Sequence, residues 1–148
     1  MTTFESFVKK EKKSAQNKGG FNACEQIEKF KHDVDNFYKK IENEWLKTFI
    51  QDGDINVSRF PITISEERLG VYQIDAETLS IGGKRFSFTP IGTILIGTDA
   101  RIDVSSGTNT SIIIKNGRTW NWLIQDRQIK LVPLNTESFQ KMIMELAK

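Results

Sequence analysis

The residues best suited to chemistry are three that alternate along the chain: Asp99, Arg101 and Asp103. On a strand all three project from one face, because successive side chains point to opposite sides. Two carboxylates flanking a guanidinium can bind a cation, position a substrate as a carboxylate-dependent enzyme would, or grip a partner's charges. The competing reading, which we prefer, is a solvated strand face whose charges pair with one another, worth ~0–1 kcal/mol per pair. Asp103 also has the option of turning inward beside Ser105 and Ser106, and residue type alone leaves both open.

Other catalytic chemistry is sparse. His32 is the only histidine, so a two-histidine acid–base mechanism is excluded within one chain. It stands among Lys31, Asp33 and Asp35, off the apolar stripe, as an exposed helix residue does. Cys24 precedes it by two helical turns, too far for nucleophile activation, which needs direct hydrogen-bond contact. A lone cysteine forms no intrachain disulfide. With no CxxC, no HExxH and no second histidine, neither a metal nor a cofactor is expected. Gly92 and Gly97 lack the following helix of a phosphate loop, and Ser105-Ser106-Gly107 has no nucleophile elbow.

Basic residues fall into two groups. Lys9, Lys10, Lys12, Lys13 and Lys18 read as the solvated face of a short helix. Lys84, Arg85, Lys115 and Arg118 flank two hairpin turns. Lys115 and Arg118 are expected to be cross-strand neighbours at one tip, where like charges repel and an acidic partner would relieve them. A phosphate- or anionic-lipid-binding adaptor would use these four.

The elements that position these groups follow from periodicity. Residues 3–17 suit a short helix ended by Gly19-Gly20. Over residues 22–51, Ile27, Phe30, Val34, Phe37, Ile41 and Trp45 recur at spacings of three and four, with Tyr38, Leu46 and Phe49 widening the stripe. This is a helix that buries one face, on its own sheet or in a homodimer. From residue 55 onward β-branched and turn residues dominate, and strands are expected near 60–65, 69–75, 78–82, 84–89, 93–97, 101–105, 111–115, 118–124 and 128–132. Turns fall at Asp75–Thr78, Gly82-Gly83, Asn116-Gly117 and Asp126-Arg127. Two-residue turns pair Leu79 with Phe86, Ile113 with Trp120, Ser111 with Trp122, Ile124 with Ile129 and Trp122 with Leu131. Trp120, Trp122, Ile124, Ile129, Leu131 and Ile113 then share a core face. A final helix to about residue 147, capped by Asn135 or Thr136, buries Phe139, Met142, Ile143 and Leu146.

The fold class is α+β: an N-terminal helical region (1–54), then an antiparallel β barrel or sandwich of about seven or more strands closed by a C-terminal helix (55–148), together one folding unit. Seven strands from Leu69 followed by one helix resembles, in element order alone, the layout of pleckstrin-homology-like domains. That fold hosts many roles and implies none of them.

A length of 148 residues supports one core. The net charge of +2 argues against a dedicated nucleic-acid binder. The first residues lack the apolar core of a signal peptide and no apolar run reaches the ~18 residues of a span, so a cytoplasmic location is expected. The function class left is a non-enzymatic protein-binding module acting through its surface on one protein partner. Its concrete form is an immunity-type inhibitor that neutralises a bacterial toxin. The candidate contact residues are Asp99, Arg101, Asp103, Lys84, Arg85, Lys115 and Arg118.

Overall fold

The computed structural model describes residues 4–6, 23–92 and 100–148. Residues 4–6 are helical; the rest of the expected 3–17 helix, the 93–97 strand and Asp99 lie outside the described residues. The amphipathic stripe forms α1 (Ala23–Lys40), a π-helical turn (Ile41–Trp45) and a short α2 (Lys47–Gln51). Gly53, at φ 82°, turns the chain into the sheet.

Among the described residues there are seven strands: β1 (Ile55–Glu66), β2 (Gly70–Ile81), β3 (Lys84–Gly92), β4 (Ala100–Ser106), β5 (Asn109–Asn116), β6 (Thr119–Gln125) and β7 (Ile129–Pro133). They form one antiparallel meander in sequence order, open between β1 and β7. The helix α3 (Thr136–Leu146) follows. Asn135 caps it: its side chain accepts from the Ser138 N–H, and the Ser138 hydroxyl accepts from the Asn135 N–H, both at 2.8 Å.

One face of the sheet is sealed by the helices. Leu79, Phe86, Phe88, Ile102, Val104, Ile113, Trp120 and Trp122 are buried there with Phe30, Val34, Phe37, Ile41 and Trp45 of the helical stripe and Phe139 and Met142 of α3. Phe37 lies 4.9 Å from Trp120, and Trp45 stacks on Phe139 at 4.9 Å between ring centroids. The stripe is therefore used inside the molecule; only Phe49 of it stays exposed.

Three expectations are corrected. The expected turn at Asp75–Thr78 is absent, and 69–75 and 78–82 are one strand. Burial there switches faces: Tyr72, Ile74 and Ala76 are buried on one side, Glu77 and Leu79 on the other. The β1–β2 register runs unbroken from Ile55–Ile81 to Glu66–Gly70. The near half of this hairpin faces the helices, while the far half turns its other face inward. At its tip Glu66 bonds the Tyr72 hydroxyl and lies against Gly92.

The second correction concerns the β5–β6 turn, which is Gly117-Arg118 rather than Asn116-Gly117. Trp122 therefore pairs with Ile113, Trp120 with Lys115, and Ser111 with Val104. A shift of two leaves every face unchanged. The third is the β6–β7 turn, which takes three residues rather than two and pairs Ile124 with Lys130 and Leu123 with Leu131. A shift of one flips the faces, so Ile129 and Leu131 lie on the outside. The Leu79–Phe86 pairing is as expected.

Candidate functional site

Two places gather chemistry. The first is an ion cluster between α1 and the β1–β2 hairpin, absent from the sequence reading. The alternation Ile55, Val57, Arg59 carries an arginine onto the inner face of β1, where a charge must find partners. Its guanidinium donates to Asp35 (2.8 Å) and Glu42 (2.5 Å) of the helical segment and to Glu77 (3.3 Å), its register partner on β2. The same guanidinium sits 5.1 Å over the Tyr38 ring, and the Tyr38 hydroxyl donates to the Asp75 carbonyl.

Glu77 is fully buried and its Oε2 meets no donor. Burial first, then the neighbouring Glu42 carboxylate, push its pKa up to about 9 against the pull of Arg59. A proton on Glu77 makes two adjacent carboxyls compatible. The Arg59 hydrogen bond holds the Asp35 carboxyl below its ordinary value. Beside the cluster is a shallow cleft of about 410 Å³ lined by Lys31, Tyr38, Arg59, Gln73 and Asp75 among others. Asp35, Tyr38 and Arg59 of the cluster line it, whereas Glu42 and Glu77 do not, so the cluster locks helix to hairpin and turns only its outer half to the cleft.

The second place is the outer face of the sheet. Arg101 and Asp103 project there, between the buried Ile102 and Val104, and form a two-pronged pair at 2.7 and 3.1 Å. Asp103 therefore faces out, and its charge is already matched. Across β5, β6 and β7 the outer face carries Ile112, Leu123 and Leu131 on one rung, with Ile129 two residues along β7. Ile129 is 68% exposed and Leu131 38%.

The four basic candidates do not form one patch. In a meander successive turns alternate ends, so Lys84 and Arg85 at the β2–β3 turn lie at the opposite end of the sheet from Arg118 at the β5–β6 turn. Lys84 donates to the Ala147 carbonyl at the end of α3. Lys115 and Arg118 are not cross-strand neighbours: Lys115 pairs with Trp120, and Arg118 is a turn residue. Lys115 instead points inward to Asp33 at 3.1 Å. Ile113, two residues earlier on the same strand, carried that signal, because residues i and i+2 share a face. His32 and Cys24 are exposed, as expected for His32.

Among the described residues no group of acidic, histidine or cysteine side chains is arranged to hold a metal. No helix among them is long and apolar enough to cross a membrane. No protein family, no curated protein and no solved structure matches this chain.

Proposed function

We propose that the chain is a non-enzymatic protein-binding module, most concretely an immunity-type inhibitor that neutralises a bacterial toxin by covering part of its surface. One observation carries the reading: an apolar strip of Ile112, Leu123, Leu131 and Ile129 on the outer face, bordered by the Arg101–Asp103 pair. An exposed apolar strip of this kind suits contact with a protein surface. Lys130, between Ile129 and Leu131, projects from the other face of β7, so the occupant is a folded protein that meets the strip through an apolar contact. The anionic-lipid reading has its basic residues divided between two ends of the sheet, and the carboxylate-enzyme reading has Asp103 bound to Arg101.

The test compares the tagged full-length protein with an Ile129→Asp/Leu131→Asp variant as bait in an extract of its native cells. The expected result is one stoichiometric partner, held by the wild type, lost by a variant of unchanged melting temperature, and inhibited when mixed one to one. A variant that retains every captured protein refutes the reading. So does binding to phosphatidylserine vesicles at low salt with no protein partner.

A further inference from the structure

We infer that β7 is a docking edge to which an extended segment of a different protein adds as an eighth strand. This rests on the protein-binding reading above and locates it. Among the described residues β7 is the last strand of an open sheet, and its one strand neighbour is β6. The Leu134 N–H donates to the Trp120 carbonyl, which marks residues 120 and 134 as a hydrogen-bonded pair. Bonded and non-bonded pairs alternate along an antiparallel ladder. The pairs 122–132 and 124–130 are therefore bonded, and 121–133, 123–131 and 125–129 are not. The N–H and C=O groups of Ile129 and Leu131 consequently point away from β6, into the open edge. Pro133 takes the next outward position, where the missing N–H costs the β6–β7 ladder nothing. The outward backbone groups and the exposed apolar side chains belong to the same two residues.

A second copy of this chain fits the edge poorly. With Leu131 opposite Leu131 of the copy, Pro133 falls opposite Ile129 and leaves the Ile129 carbonyl without a donor on both strands. Sliding two residues, to set Ile129 opposite Leu131, places Lys130 directly opposite Lys130, and like charges facing each other are unfavourable. Lysine and proline on an edge are common guards against self-pairing. They do not exclude a foreign strand that is apolar opposite Ile129 and Leu131 and acidic opposite Lys130. The other edge, β1, differs: α2 packs against it and Pro61 interrupts its donors.

The test selects a displayed library of random nine-residue peptides on the immobilised full-length protein. Selected peptides are then titrated against Leu131→Pro, Leu131→Ala and Lys130→Glu. Leu131→Pro removes an outward donor without touching the β6–β7 ladder, so it melts close to Leu131→Ala. The expected peptides alternate apolar residues around an acid. They bind Leu131→Pro at least tenfold more weakly than Leu131→Ala, and Lys130→Glu exchanges the preferred acid for a base. Equal binding to the proline and alanine variants overturns the inference, as does the absence of any enriched peptide. If Leu131→Pro does not fold, an unchanged acid preference in Lys130→Glu overturns it alone. A cellular partner lost with Ile129→Asp/Leu131→Asp but kept by Leu131→Pro removes the edge and leaves the protein-binding reading. Enriched peptides without any cellular partner do the reverse.

Discussion

Replacing Glu77 by glutamine removes the pH dependence that the buried carboxyl imposes on folding. Glu77 is 0% exposed and its pKa rises from 4.5 to about 9 in the native protein. Between those values the native state holds one proton that the unfolded chain has released. Stability therefore falls as pH rises through this window, by about 1.4 kcal/mol per pH unit. From pH 5 to pH 8 the wild type loses at most about 4 kcal/mol through this one group. Asp35 works in the opposite sense, but its contribution is lost only on acidification below its ordinary value of 3.8, outside the interval. Glutamine has the shape of the protonated acid, keeps an oxygen for Arg59, and offers Glu42 an N–H. The stability difference between Glu77→Gln and wild type should thus grow in the variant's favour from pH 5 to pH 8. Urea unfolding at both pH values, followed by fluorescence of the buried Trp45, Trp120 and Trp122, measures it. Parallel profiles for the two proteins, or a variant less stable than wild type at pH 8, would refute the assignment of a proton to Glu77.

Removing Arg59 takes a shared donor from Glu42, Glu77 and Asp35, of which Asp35 keeps Lys39: with the guanidinium partly exposed, Arg59→Met should cost about 1–3 kcal/mol, and adding Glu77→Gln should recover part of that, as a double-mutant cycle in urea will show. Gly92 has ordinary φ, and a Cβ there would stand 2.8 Å from Glu66 Oε1, the movable end of that side chain. Gly92→Ala should push Glu66 off the Tyr72 hydroxyl and cost about 1 kcal/mol; in the variant Tyr72, whose pKa burial and Glu66 raise, should titrate at lower pH by ultraviolet absorbance. Asn135→Ala breaks both arms of the cap on α3 and should cost about 1 kcal/mol in thermal unfolding. Ile129→Lys, on the outer face, should change stability by no more than about 0.5 kcal/mol, whereas the inward placement expected from a two-residue turn would make it severe.

The residue pattern alone determined the helical stripe from Phe30 to Trp45, a cap at Asn135 or Thr136, the Leu79–Phe86 pairing across Gly82-Gly83, and the sequence of helix, antiparallel strands and helix. These are local: periods of 3.6 and 2, turn glycines and capping side chains act within a few residues. Alternation also put Arg101 and Asp103 on one face, but only the burial of Ile102 and Val104 made that face the outer one. Tertiary structure decided the rest. A single extra residue in the turn after Gln125 moved Ile129 and Leu131 from the core to the outer face, because register parity belongs to the pair of strands and not to either alone. The exchange of buried faces between Ala76 and Glu77 looked like a turn in the sequence, and only the unbroken pairing with β1 shows it to be one continuous strand. Arg59, Asp35, Glu42 and Glu77 stand up to 42 residues apart along the chain, and no local rule joins them. They meet because α1 lies across the hairpin, and burial there is what sets the charge on each.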